Sequence, residues 1–160
     1  MRVFLGLGTN LGDRAVNLER AIDAIAQLPK THLEARASLY ESAPIGPDQP
    51  EFLNTVVGIE TRLPLLELLR HCKQIESTLG RVPTFRWGPR LIDIDLLIAD
   101  EEHHSLTLDV PHAQLHLRRF ALEPLCELIP EWRHPGFEKT LRALCELLPG
   151  QGCRKVEGRP

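Results

Sequence analysis

Long apolar runs are missing from this chain. The longest, Leu63–Leu66 and Leu96–Ala99, fall far short of the roughly 18–20 residues that a membrane-spanning helix needs. Cysteine is sparse, and Cys72, Cys126, Cys145 and Cys153 stand far apart with no CxxC pair. Three of them fall in helix-like apolar patterns, where a buried, reduced thiol fits better than a disulfide framework or a zinc site. An excess of positive charge is also missing: 19 basic residues face 22 acidic ones, for a net charge of −3. A nucleic-acid partner is therefore not expected, and any cationic site must be local. No basic-then-apolar leader opens the sequence, because Arg2 leads straight into Val3–Leu7; the expectation is a protein of the reducing cytoplasm with no membrane association. His112 and His116 have the spacing of a helical metal pair but no third ligand close in sequence.

What is present suits one globular domain. With 160 residues, 42% of them hydrophobic, the chain can bury about two-thirds of its unfolded surface. No internal repeat divides it. The expected organisation is a single domain over 1–149, acting as a monomer, with a frayed polar tail over 150–160.

Val3–Leu7 reads as a buried strand ended by a tight turn at Gly6, Gly8 and Gly12. Asp13 is a candidate N-cap for a helix whose apolar face is Leu18, Ala21, Ile22, Ile25 and Leu28. Alternation from Leu33 to Tyr40 predicts a second strand, and Leu53–Ile59 a third, separated by the proline-rich loop Ser42–Glu51. Pro64 suits a first helical position, with Leu65, Leu68, Leu69, Cys72, Ile75 and Leu79 on one face. Leu91–Ala99 is a fourth strand. A short strand near Leu106–Val110 and helices around Arg118–Leu128 and Glu138–Leu148 follow. The order strand–helix–strand–strand–helix–strand predicts an α+β fold: a ferredoxin-like βαββαβ core with a mainly antiparallel sheet and additional C-terminal helices.

Fold alone names no function, so the chemistry must come from motifs. Gly6-Leu7-Gly8-Thr9-Asn10-Leu11-Gly12 has the spacing GxGxxxG and precedes an antiparallel pattern, so it reads as a turn rather than a dinucleotide fingerprint. No GxxxxGK[ST] phosphate loop occurs. The informative stretch is Gly80–Ile98, GRVPTFRWGPRLIDIDLLI. Asp93 and Asp95 lie two apart on a strand, so both carboxylates emerge on one face while Ile92, Ile94 and Leu96 point inward. Two readings stay open from residue chemistry. The pair is a solvated strand face bridged to nearby arginines, or it binds hard divalent cations beside a phosphate site formed by Arg81, Arg86 and Arg90.

The segment RWGPRLIDIDLL resembles the signature RWGPRxxDxDxL of the 6-hydroxymethyl-7,8-dihydropterin pyrophosphokinase family of folate biosynthesis. LGLGTNLGDR, YESAPIGPDQPEFLNTVV and the later VPH and RRFALEPLCELIPE segments resemble the same family in the same order, over roughly residues 2–148. The resemblance implies transfer of the β,γ-diphosphoryl unit of ATP to the pterin hydroxymethyl oxygen, with release of AMP. It implies that Asp93 and Asp95 hold two Mg²⁺ ions and that Arg81 and Arg90 are catalytic, stabilising charge on the transferred group. It places the pterin against Ser42, Ala43, Ile45, Phe52, Asn54, Trp87 and Phe120. It places ATP near Lys73, Glu76, Arg86, Leu96, His112 and Arg118. The implied partners are small molecules only.

Pro83, Thr107, Ala113 and Gln114 depart from the family pattern at positions where ATP-contacting or polar side chains are common. Such changes bear on ATP affinity before they bear on reaction type. Two competing classes are a small-metabolite sensor of the same fold and an RNA-binding sheet. The combination of Asp93, Asp95, Arg81 and Arg90 disfavours the first. The lack of paired exposed aromatics on the strands disfavours the second.

Overall fold

Alternating side chains make the N-terminus a central strand, β1 (Arg2–Thr9), whose Val3, Leu5 and Leu7 are buried on one face. In the computed structural model, which describes residues 1–44, 48–80, 91–148 and 152–156, β1 runs through Gly6 and Gly8 where a turn was expected. The glycines are tolerated because both neighbouring strands hold β1 in register. The turn falls later, at Gly12 (φ +64°), and Asp13 then caps α1 (Arg14–Ala26) by accepting from the Val16 N–H at 3.2 Å.

β2 (Thr31–Arg36), β3 (Tyr40–Ser42) and β4 (Phe52–Thr61) come next. Sequence alternation predicts one strand over Leu33–Tyr40, but the structure divides it. The Thr55 hydroxyl donates to the carbonyls of Ala37 and Ser38, and the register slips between Leu33 and Ala35. α2 (Leu65–Thr78) starts after Pro64 and leads to β5 (Asp93–Ala99). A hairpin of β6 (His103–His104) and β7 (Asp109–Val110) follows, then a 3₁₀ turn at Leu115–Leu117 and α3 (Arg119–Leu128). A second hairpin, β8 (Arg133–His134) and β9 (Lys139–Thr140), takes the residues with which the last helix was expected to begin. α4 (Leu141–Leu147) therefore starts late, capped by the Thr140 hydroxyl. β10 (Arg154–Lys155) pairs with β3, so this part of the polar tail, expected to fray, is an edge strand.

The result is a mixed α/β fold with an antiparallel sheet ordered β10-β3-β4-β1-β5, in which β2 also pairs with β4. One face carries Leu5, Leu7, Ile94 and Leu96, packed with Leu18, Ile22 and Ile25 of α1 and Leu68, Cys72 and Ile75 of α2. Among the described residues the other face is covered at one end only, where Phe4, Val56 and Leu97 meet Leu122, Leu125 and Leu141 of α3 and α4. Each fully buried leucine contributes about 1.5–3 kcal/mol relative to exposure. Further along the same face the apolar series Phe4–Gly6–Gly8, Val56–Asn54–Phe52 and Leu97–Asp95–Asp93 turns to glycine, amide and carboxylate. No helix can be sealed onto such a surface without desolvating charge. That end of the face is therefore the candidate place for a ligand.

Candidate functional site

The site floor is a row of residues across four strands. Tyr40 pairs with Asn54, Asn54 with Gly8 and Gly8 with Asp93. Two residues to one side of this row Asp95 pairs with Gly6, and two residues to the other side Ser42 pairs with Phe52. Neighbouring strands lie about 4.8 Å apart, which puts the Asn54 backbone about 10 Å from that of Asp93 with only Gly8 between them. A Cβ at Gly8 would stand 3.0 Å from Asn54 Oδ1 and 3.6 Å from Phe52 Cδ1. The missing side chain therefore gives the Asn54 amide and the Phe52 ring room over β1. Sequence reasoning missed Gly8 because it placed the glycines in a turn; their spacing of two, matching Asp93 and Asp95, was the available signal.

Asn54 is buried and its amide is fixed: Nδ2 donates to Ser42 Oγ at 2.8 Å and to the Tyr40 carbonyl at 3.4 Å. Tyr40 is itself tied to α3, because its hydroxyl donates to Glu127 Oε1 at 2.8 Å. The same carboxylate accepts from the Ser38 N–H and hydroxyl. Burial first, and the Glu127 hydrogen bond second, push the Tyr40 phenol far above its ordinary range, so Tyr40 is a neutral anchor. α3 packs across β3 and β4 and carries half-buried Phe120 at its start. The Arg118 guanidinium lies 5.8 Å from the Phe120 ring centroid.

Asp93 and Asp95 are half-exposed on the open face, while Ile92, Ile94 and Leu96 are buried on the other. Between the two carboxylates the Ile94 N–H donates to Glu76 Oε2 at 2.7 Å. Glu76, 2% exposed on α2, thus pins the backbone that aims both aspartates. The Lys73 ammonium lies 3.6 Å from the other Glu76 oxygen. Beneath them, burial and then Glu76 push the Cys72 thiol up to about 12, which makes it an inert core group. Leu96, expected near the nucleotide, has its side chain in the α1/α2 core at 2% exposure. Only its backbone is available for such a role, because strand alternation turns the side chain away from Asp95.

His112 follows β7 and lies along the outer edge of β5, where its N–H bonds the Leu97 carbonyl at 2.9 Å. Its Nδ1 accepts from the Gln114 N–H at 3.1 Å, so the neutral ring carries its proton on Nε2. Desolvation holds this imidazole below its ordinary value. The Asp95 carboxylate pulls the other way, and Arg118 adds to the lowering. Arg118 Nη2 bonds Gln114 Oε1 at 2.8 Å. A neutral histidine, a lysine paired with Glu76 and an arginine therefore border the carboxylate end. Such a rim suits a polyanion.

Of the residues expected at the site, the structure brings Ser42, Phe52, Asn54, Asp93 and Asp95 onto one sheet face and sets His112 and Arg118 at the β5 side. Ala43 is exposed just beyond β3. Ile45, Arg81, Arg86, Trp87 and Arg90 lie outside the described residues. The donor set fits Mg²⁺. Two carboxylates on a rigid strand supply hard oxygen, and no third His, Cys, Asp or Glu joins them among the described residues. An ion held here keeps positions for water or phosphate oxygens, as Mg²⁺ prefers.

Residues 4–130 match the family of 7,8-dihydro-6-hydroxymethylpterin-pyrophosphokinase (HPPK). The chain is 40% identical over 159 residues to the 2-amino-4-hydroxy-6-hydroxymethyldihydropteridine pyrophosphokinase of Pseudomonas aeruginosa, covering 98% of each protein. It is 41% identical over 163 aligned residues to the enzyme of the same name from Methylorubrum extorquens, covering 98% of this chain and 99% of that one. In fold it is similar to a Plasmodium falciparum HPPK-DHPS crystal structure with a TM-score of 0.69 at 18% identity. That match covers 91% of this chain but only 43% of the solved one, so this chain spans less than half of that protein.

Proposed function

The chain belongs to the HPPK family, and from that premise we propose that it transfers the β,γ-diphosphoryl group of ATP to the hydroxymethyl oxygen of 6-hydroxymethyl-7,8-dihydropterin, releasing AMP. The observation that carries the reading is the row Asn54–Gly8–Asp93. It sets an amide suited to a heterocycle's amide edge about 10 Å from paired carboxylates suited to phosphate-bound cations. One flat bicyclic ring with a hydroxymethyl arm spans that gap.

In this reading Asn54 and Ser42 orient the pterin, with Phe52, Phe120 and Trp87 as aromatic walls and Ala43 and Ile45 beside them. Asp93 and Asp95 hold two Mg²⁺ ions, aimed by the Glu76 bond to the Ile94 N–H. Bound Mg²⁺ supplies charge neutralisation to the phosphates and acidifies the acceptor hydroxyl. Lys73, Arg86, His112 and Arg118 grip the nucleotide, and Arg81 and Arg90 stabilise charge as the bridging bond breaks. Positioning and electrostatics carry such a transfer, so no strong side-chain base is required. The strand order β2-β4-β1-β5, with antiparallel neighbours throughout, supports reading the core as the ferredoxin-like unit of a single domain. Four free cysteines agree with work in a reducing cytoplasm, and no helix among the described residues is long and apolar enough to cross a membrane.

The test is incubation with Mg-ATP and the hydroxymethyl dihydropterin. AMP and the pterin diphosphate are the expected products; ADP, or no turnover, overturns the assignment.

A further inference from the structure

We propose that Arg154, on the C-terminal strand β10, is a positioning residue for the pterin pocket. It bridges Glu41 and Glu51 and so fixes the two strand ends that carry Ser42 and Phe52. The inference rests on the pocket assignment above. β10 adds to the sheet beside β3, pairing Arg154 with Glu41 and Lys155 with Tyr40, and the Val156 N–H closes the pairing on the Leu39 carbonyl at 2.8 Å. From there Arg154 Nη2 reaches Glu41 Oε1 at 2.8 Å and Glu51 Oε1 at 3.0 Å, and Nη1 reaches Glu51 Oε2 at 3.3 Å. The second Glu41 oxygen is held by Arg14 Nη2 at 2.7 Å, and Arg14 Nη1 donates to the Glu51 carbonyl at 3.1 Å. Two arginines from opposite ends of the chain thus converge on two glutamates.

Each glutamate immediately precedes a pocket residue. Glu41 leads into Ser42, which receives the Asn54 amide, and Glu51 leads into Phe52. Because strand neighbours point to opposite faces, the network lies on the back of the sheet while the ligand groups lie on the front. Leu39, Leu53 and Val156 pack this back side against the main core, but the packing stops short of the glutamates. A cleft of about 350 Å³ opens there, lined by Arg14, Leu39, Glu41, Leu53 and Val156 among others. β3 itself has only three residues. Its front is fixed by Asn54 and by the Tyr40 bond to Glu127, and its back by Arg154. A guanidinium fork spans two carboxylates at once, which a lysine ammonium does not reproduce. Exposed ion pairs add little to global stability, so the consequence of losing this one is local.

The experiment compares Arg154→Gln, Glu51→Gln, the double variant and Arg154→Lys with the parent protein. It reads KM for pterin, KM for ATP, kcat and the thermal midpoint. Arg154→Gln should raise the pterin KM by about three- to tenfold, a size typical of a loosened surface network, while the ATP KM and thermal midpoint hold. Arg154→Lys should fall between. Glu51→Gln should reproduce the effect and the double variant add nothing further. In the parent protein, added KCl should move the pterin KM toward the variant's value, while the variant itself responds little. An unchanged pterin KM, additive single effects, or a joint loss in thermal midpoint and both KM values overturns the proposal. Asn54→Asp run in parallel separates the two levels. Normal pterin binding in that variant removes the pocket assignment itself, whereas weakened binding there with a silent Arg154→Gln removes only the positioning role.

Discussion

Asp95 and Asn54 mark the two ends of the proposed site, and their chemistry makes opposite demands. Asp95 is useful for its charge, because it faces the open sheet surface beside His112 and Arg118. Asp95→Asn keeps shape and removes charge. It should leave the thermal midpoint near the parent value and lower kcat by at least ~10²-fold, the scale of losing one strong electrostatic stabiliser. A folded variant with near-parent turnover would take the metal role from this residue. Asn54 is useful because it both donates and accepts. In Asn54→Asp the Ser42 hydroxyl can turn to donate to the new carboxylate, but the Tyr40 carbonyl at 3.4 Å and any acceptor on the pterin lose their side-chain donor. One unmet buried hydrogen bond costs ~1–3 kcal/mol, so calorimetry should show pterin affinity down by about 5–150-fold and ATP affinity nearly unchanged. If ATP binding weakens and pterin binding holds, the two ends of the site have been assigned the wrong way round.

At the scale of elements, the site depends on α2 and β5 being locked together. α2 is amphipathic, with Leu65, Leu68, Cys72 and Ile75 inward, yet Glu76 is buried on the same helix at 2% exposure. Burying a carboxylate is costly unless hydrogen bonds compensate, and here it accepts from the Ile94 N–H between the two aspartates. Glu76→Gln retains an acceptor and should be mild. Glu76→Ala leaves a buried N–H unmatched at ~1–3 kcal/mol, and in a chain of this size the thermal midpoint should drop by about 2–4 °C per kcal/mol. The alanine variant should also lose kcat, since β5 is free to shift. An alanine variant with parent midpoint and parent kcat would show that β5 needs no such pin.

At the scale of the whole molecule, two cores flank one sheet, and among the described residues the second stops short of the proposed site. Its closing end is the β8–β9 hairpin, where His134 is nearly buried against Trp132 and Phe137, and His116 packs on Phe137. Desolvation first, and the charge of His116 second, lower its pKa from 6.5, with Glu102 opposing weakly. A depressed histidine adds stability above about pH 6.5 that is lost as pH falls through its folded-state value, because the unfolded chain then binds the extra proton. His104 is raised by Asp109 and works in the reverse direction, but it is fully exposed and screened, so His134 and the likewise lowered His112 prevail. The thermal midpoint should therefore fall between pH 7.5 and pH 5, and His134→Gln should remove part of that fall. A midpoint that is flat or rises on acidification contradicts this account.

Much of this protein is legible in its sequence because the deciding interactions are local. Asp13 caps its own helix, Ile94 and Leu96 point inward between Asp93 and Asp95 by strand alternation alone, and the apolar spacing of α1 and α2 states which face is buried. The carboxylate pair was visible for the same reason: a period of two puts both side chains on one face. What the sequence could not settle is whatever depends on a partner far along the chain. Gly6 and Gly8 read as a turn until Asp95 and Asp93 on one side and Val56 and Asn54 on the other hold them in a strand. Leu33–Tyr40 reads as one strand until the Thr55 hydroxyl takes the carbonyls of Ala37 and Ser38. Glu76 reads only as a position near ATP, and its buried role appears once Ile94, 18 residues later, offers its N–H. The polar tail reads as frayed until Glu41 and Glu51 supply counter-charges to Arg154, more than 100 residues away. Periodicity records what a residue does to its near neighbours, whereas pairing across a sheet is fixed only when the whole chain has closed on itself.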